Sequence, residues 1–248
     1  MRVRASLLNL HLLLPIQDLR KIIYRLLDPL DWYMVCMAHS FTRDFHIGSV
    51  LASGNRDVCR AAAARGYLDI LKWARYHEYK WDYSICEDAA MNGHFSVLQW
   101  AHDNGCPWGY GTCSEAARFG HLQILQWAIS QGCPYDDTVL SEAALNGHLE
   151  VIQWARTKGC RWNERTCEYA ACGGHLNVLQ WVRNNGCPWD KWTCAGAASG
   201  GHLEVLQWAR ANGCPWDSDT TFNAKDFGND DVYIWALENG CPDEGVFK

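Results

Sequence analysis

The sequence predicts an all-α solenoid, seven helix-turn-helix units laid one after another behind a small helical segment. Three observations predict it. Trp73, Trp100, Trp127, Trp154, Trp181, Trp208 and Trp235 stand 27 residues apart at every step, and a fixed step of that size marks stacked supersecondary units rather than one globule. Each step repeats the same order: an alanine-rich stretch, a glycine, a Leu-x-Val-Leu-Gln-Trp stretch, a second glycine. Eleven of the thirteen cysteines also keep to the step, at two positions of the unit. Stacks of this kind present a long surface to other proteins and seldom do chemistry.

The first helix of each unit carries an alanine pair, from Ala62-Ala63 through Ala197-Ala198. Alanine favours helix, and its small side chain lets a neighbouring helix approach. Thr112, Thr166, Thr193 and Thr220 sit where an N-cap is expected, and Thr112 with Glu115 has capping-box spacing. Glycine then ends the helix at Gly66, Gly93, Gly120, Gly147, Gly174, Gly201 and Gly228, supplying the left-handed residue of a C-cap. His94, His121, His148, His175 and His202 follow, expected to fix the turn by hydrogen bonds. So short a turn makes the two helices antiparallel.

The second helix is more apolar. At 100° per residue, Leu149, Val151, Ile152, Trp154 and Ala155 cover roughly 220° of its circumference. Burial is therefore expected on several sides, against the partner helix and the adjoining units. Arg75, Arg156, Arg183 and Arg210 in the last turn suit the helix dipole. The loop reads Asn-Gly-Cys-Pro-Trp-Asp: glycine stops the helix and proline prevents its resumption. Trp81, Trp108, Trp162, Trp189 and Trp216, with Tyr135 in the fourth unit, are expected to cover the edge of the helix pair. The first and last units depart from the pattern, with Tyr67 and Asn229 in place of histidine, as units with one neighbour should.

Bulk properties narrow the function. Of 248 residues, 48% are apolar and 20% charged, and the net charge is −6 with a pI of about 5.9. There is no basic stripe for nucleic acid and no run of roughly 18 apolar residues for a membrane span. Met1-Arg2-Val3-Arg4 before a leucine-rich stretch has the outline of a signal peptide. Asn9 and His11 interrupt it and no small-x-small cleavage site follows, so secretion is not expected. The cysteines, in a chain that can build a core, read as reduced thiols filling small apolar spaces, which points to the cytoplasm or nucleus. Turn histidines 27 residues apart would stand about 10 Å from each other at helix-packing distance, too far to share a metal ion. No zinc-type Cys-x-x-Cys pair, phosphate loop or nucleophile elbow is present. Neither a metal, nor a cofactor, nor catalysis is expected.

The segment Ala-Ala-x-x-Gly-His-Leu-Glu-Val-Leu-Gln-Trp resembles the ankyrin repeat, over residues 56–248. The ankyrin unit is about 33 residues long and this one is 27. The opening Thr-Pro-Leu-His is replaced by Thr-Cys-x-x, and the missing residues fall in the loop. The resemblance therefore implies a projecting hairpin cut to a bare turn. Short units rich in Trp and Cys are similar to those of ankyrin proteins from large DNA viruses of amoebae and some protists, which would place such a chain in a host cell. Residues 1–13 form a tail. Residues 14–50, beginning Leu14-Pro15-Ile16 and continuing through Leu19, Ile22, Ile23, Leu26 and Leu27 to Val35-Cys36, resemble an F-box.

The F-box resemblance implies that Leu14, Pro15, Ile16, Leu19, Ile22, Ile23, Leu26 and Leu27 dock the Skp-type linker of a cullin–RING ubiquitin ligase while the solenoid holds a target. The alternative is that these helices cap the first unit and the chain is a binding scaffold with no ligase link. Target contacts should come from positions that vary between units: Tyr83, Tyr110, Arg118, Phe119, Arg165 and Trp192, of types enriched at binding hot spots. The alternative for each is packing on its own unit. Outside such a complex the chain is expected to be a monomer.

Overall fold

A computed structural model describes residues 57–76 and 78–243. The F-box-like residues Leu14 through Leu27 lie outside the described residues. Among those described there are fourteen α-helices and no strand: α1 (Asp57–Ala64), α2 (Leu68–Tyr76), α3 (Ser84–Met91), α4 (Phe95–Asp103), α5 (Tyr110–Arg118), α6 (Leu122–Ser130), α7 (Thr138–Leu145), α8 (Leu149–Thr157), α9 (Glu164–Cys172), α10 (Leu176–Asn184), α11 (Lys191–Ser199), α12 (Leu203–Ala211), α13 (Ser218–Asp226) and α14 (Asp230–Glu238). Odd helices open a unit and even helices close it. The chain divides into two compact units, Met1–Trp81 and Asp82–Lys248.

In the first, α1 and α2 form one hairpin. Trp73 is buried there, with the Tyr79 ring 5.5 Å away in the place of the usual loop cysteine. Glu78 stands where the other units have a loop glycine and still takes the left-handed conformation, φ 62°.

Residues 82–243 hold six hairpins. Both ends of each turn follow one rule. At Gly147 (φ 78°) the amide donates to Ala144 O at 3.3 Å and the His148 amide to Ala143 O at 2.9 Å. At Gly159 (φ 84°) the equivalent bonds reach Arg156 O at 3.1 Å and Ala155 O at 3.2 Å. These paired bonds satisfy the last carbonyls of a helix and need a left-handed residue.

The N-caps differ from expectation. Thr112, Thr166, Thr193 and Thr220 are the third residues of their helices and are buried. The caps lie three residues earlier. Asn163, Asp190 and Asp217 accept the amides of Arg165, Trp192 and Asp219, and Gly109 caps α5. Asp82 and Asp136 bind the amides and hydroxyls of Ser84 and Thr138 in the same register. The aspartate after the loop tryptophan is thus the capping residue. The hydroxyls of Thr112, Thr166 and Thr193 are buried with no hydrogen-bond partner.

Small residues set the packing. The alanine pairs are fully buried and consecutive first helices lie side by side, while consecutive second helices approach far less closely. A Cβ on Gly196 would come within 2.9 Å of Glu168 O, so α11 rests on the α9 backbone itself. Bulky Trp and Leu side chains hold the second helices apart. The stack of residues 82–243 therefore curves with its first helices inside.

On the second helices the sealed arc is narrower than expected. In α8 only Val151, Ile152 and Ala155 are fully buried, an arc of about 100° by the helical periodicity. Trp154 and its equivalents in residues 82–243 are half-buried. Their rings meet the loop tryptophan of the preceding unit: Trp162 with Trp181 at 6.1 Å, Trp189 with Trp208 at 5.9 Å and Trp216 with Trp235 at 6.0 Å, all edge to face. The last-turn arginine covers the other side of the loop ring, Arg156 over Trp162 at 3.9 Å and Arg183 over Trp189 at 4.0 Å. The arginines also bind the loop, with Nη1 of Arg156 donating to Cys160 O at 2.6 Å. Each cation–π contact is worth about 0.5–2 kcal/mol according to exposure.

Histidines and cysteines join the stack in ways their spacing alone does not reveal. The histidines act between units rather than within their own turn. Nε2 of His121 donates to Met91 O at 3.1 Å and that of His148 to Arg118 O at 3.0 Å, and Asn229 Nδ2 makes the equivalent bond to Ser199 O at 3.0 Å, with a second to Ala198 O at 2.8 Å. The rings of His121, His148, His175 and His202 lie over the turn glycine of the unit before; a Cβ on Gly147 would sit 2.6 Å from His175 Nδ1. The loop thiols are donors as well as filler. Sγ of Cys106, Cys187, Cys214 and Cys241 lies 3.2–3.4 Å from the carbonyls of Asp82, Asn163, Asp190 and Asp217, closing each unit onto its own start. All twelve described cysteines are free thiols. Hydrogen bonding to Cys106, then burial, holds the Cys86 thiol well above its ordinary value, and burial pushes Cys241 up to about 11.

Candidate functional site

The repeating alanines, cysteines and apolar second-helix positions are interior. Tyr83, Tyr110, Arg118, Phe119, Arg165 and Trp192 are all exposed, with Tyr83 at 58%, Tyr110 at 57% and Trp192 at 45%. Two rings over half exposed are not packed on their own units. The side chains fall into two rows. Tyr83, Tyr110, Arg165 and Trp192 stand at the starts of α3, α5, α9 and α11, on the edge set by the caps. Arg118 and Phe119 stand at the end of α5, roughly 12 Å away at 1.5 Å per residue. The structure thus brings four of the six onto one edge of the concave side and places the other two at the far end of the same helices.

Charge organises the edge. Nζ of Lys191 lies 2.6 Å from Asp217 Oδ2 and 2.6 Å from Asp219 Oδ2, and 4.7 Å from the centre of the Trp192 ring. Hydrogen bonds to the two carboxylates raise its pKa above the ordinary lysine value. At the far row, Arg118 lies 3.9 Å from Glu115 and 3.8 Å from Glu142, its guanidinium 5.8 Å from the Phe119 ring. Burial, with Glu142 and Asp88 nearby, raises the Glu115 carboxyl; Arg118 opposes this in part. Glu168 is raised by burial and by Asp190. Asn163 Nδ2 donates to Asp137 Oδ2 at 2.9 Å.

Sequence reasoning missed these acids and Lys191. The signal was the repeat column rather than any motif: the position after the loop aromatic reads Asp82, Gly109, Asp136, Asn163, Asp190 and Asp217.

The described chain is a helical-repeat solenoid with a buried repeating framework and an exposed, variable, acid-rich inner edge. Among solved structures it resembles the human ASB11 ankyrin repeat domain, with a TM-score of 0.51 and 16% identity over 63% of this chain and 84% of that one. That likeness gives the fold, which is the ankyrin-repeat fold with the loop shortened. No protein-family model matches the chain, and no curated protein does.

Proposed function

We propose that this chain is a protein-binding module, a substrate-recruiting adaptor in which residues 14–50 dock the Skp-type linker of a cullin–RING ubiquitin ligase and the inner edge of the solenoid holds the target. One observation carries the target-binding half. Tyr83, Tyr110, Arg118, Phe119, Arg165 and Trp192, which change from unit to unit, are exposed, while the repeating alanines, cysteines and apolar second-helix positions are buried. A framework that keeps its interior and varies its surface is built for recognition. The ligase half rests on the F-box resemblance of Leu14, Pro15, Leu19, Ile22, Ile23, Leu26 and Leu27.

Two measurements on the full chain test the halves separately. Mixed with a purified Skp-type linker, the chain is expected to co-elute with it, and the Leu14→Ala/Pro15→Ala/Leu19→Ala variant is expected not to. No complex with the unaltered chain overturns the ligase role and leaves a binding scaffold. Alanine at Tyr83, Tyr110, Arg118, Phe119, Arg165 and Trp192 together is expected to abolish target capture with the thermal midpoint little changed; retained capture overturns the assignment of the face.

A further inference from the structure

The net charge of −6 is not evenly spread. The six first helices of residues 82–243, each counted from its capping position, hold the acid. Counted as 82–91, 109–118, 136–145, 163–172, 190–199 and 217–226, they carry thirteen Asp and Glu against four Lys and Arg. The six second helices carry six against three. The first-helix layer thus carries most of the acid, with Asp82, Asp136, Asp137 and Glu164 exposed at its helix starts beside the exposed rings of Tyr83, Tyr110 and Trp192.

The face already binds cations, supplied by the chain itself. Lys191 is held between Asp217 and Asp219 of the following unit and against the Trp192 ring. Arg118 bridges Glu115 of its own unit and Glu142 of the next. The same register recurs without an internal cation. Tyr110 and Asp136 occupy, three units earlier, the register of Lys191 and its partner Asp217: each pair is 26 residues apart, and 110 and 191 differ by three steps of 27. There a ring replaces the lysine and the carboxylate remains. Carboxylate plus aromatic face is the chemistry that holds lysine and arginine.

We propose that this face takes a lysine- and arginine-rich segment of the target protein, laid in polyproline II conformation along the starts of the first helices. The inference rests on the binding-module reading and adds the chemical class of the partner. Geometry fixes the spacing. Packed helices stand about 8–10 Å apart, and a polyproline II segment advances about 3.1 Å per residue with three residues per turn, so every third side chain returns to the same face. A cation at every third residue therefore meets one unit after another. A run of adjacent cations crowds one unit and leaves its neighbours empty.

The test uses the full chain and three labelled 15-residue peptides in fluorescence anisotropy: lysine at every third position, the same composition with the lysines contiguous, and glutamate at every third position. The spaced lysine peptide is expected to bind at least tenfold more tightly than the contiguous one, and the glutamate peptide not at all. Tightness should fall steeply as salt rises, because the contacts are exposed ion pairs. The Asp136→Asn/Asp137→Asn/Glu142→Gln variant is expected to lose at least tenfold, and Asn at 136 keeps the cap on α7. Neutralising Asp103, Glu150 and Glu204 on the second helices should change binding less than twofold.

Equal binding of lysine and glutamate peptides overturns the proposal, as does an unchanged affinity in the first-helix variant or equal loss in both variants. A target whose capture needs the six variable side chains but survives the first-helix neutralisation overturns the charge class alone and leaves the module reading standing. Capture that survives both sets of changes overturns both.

Discussion

Gly147→Ala and Gly159→Ala bracket the same helix, α8, yet should differ in cost. Both glycines are left-handed, φ 78° and 84°, so each alanine carries a backbone penalty of about 1–2 kcal/mol. At Gly159 nothing lies within 4 Å of the new methyl group, and the penalty ends there. At Gly147 the methyl would sit 2.6 Å from His175 Nδ1 and 2.7 Å from Cε1. The ring must swing away and surrender its hydrogen bond to the Leu145 carbonyl, a further loss of about 0.5–1.5 kcal/mol. Gly147→Ala should therefore cost about 2–3 kcal/mol in total and Gly159→Ala about 1–2. At this chain length the excess corresponds to roughly 2–4 °C in thermal midpoint. Circular dichroism melts of both variants, repeated in a His175→Ala background, separate the two terms by a double-mutant cycle. The excess at Gly147 should vanish once the ring is gone. Equal costs in the unaltered background, or an excess that survives removal of His175, would refute the idea that the glycine makes room for the next unit's histidine.

Two other predictions concern the cap and the histidine. Asp190→Ala removes the acceptor for the Trp192 amide, 3.0 Å away, and should cost about 1 kcal/mol in urea unfolding; Thr193→Val, which deletes a buried hydroxyl with no partner, should be neutral or stabilising, and the reverse order would restore threonine as the cap. Burial holds the His175 pKa below its ordinary 6.5, with His202 and His148 adding to the effect and the bond to Leu145 O opposing it. The unfolded chain then takes up the proton first, so this contribution to stability is complete above about pH 6.5 and is lost as pH falls toward the folded value. The thermal midpoint should drop between pH 7.5 and 5.5, and drop less in His175→Asn, since Asn229 shows that an amide can make the same bond without titrating; an equal drop in both chains would remove His175 from the account.

The architecture was legible because it depends on period, and period needs no partner to be seen. Glycine at two points of the step gave both helix ends, and alanine pairs gave the close first helices. The inter-unit chemistry was less visible. Histidine after a turn glycine looks local, and its acceptor, some thirty residues back, cannot be read from one unit. Threonine and aspartate are both good caps, and choosing between them needed the helix start to within three residues. The cysteines read as filler because burial hides the carbonyl each thiol faces. At the site, variability between units found the exposed rings. The acid columns were in plain view but had been counted along the chain rather than down the repeat.

The bonds that close a unit or join it to the one before are short in sequence: 24 residues back from the cysteines and 30 from the histidines and Asn229. An in-frame loss or duplication of one 27-residue period inside such an array therefore leaves each of these groups facing an equivalent partner. A gene of this design can lengthen or shorten by unequal recombination and still encode a folding product. What such an event alters is the order of side chains along the inner edge, so the choice of target can be reshuffled without rebuilding the scaffold that carries it.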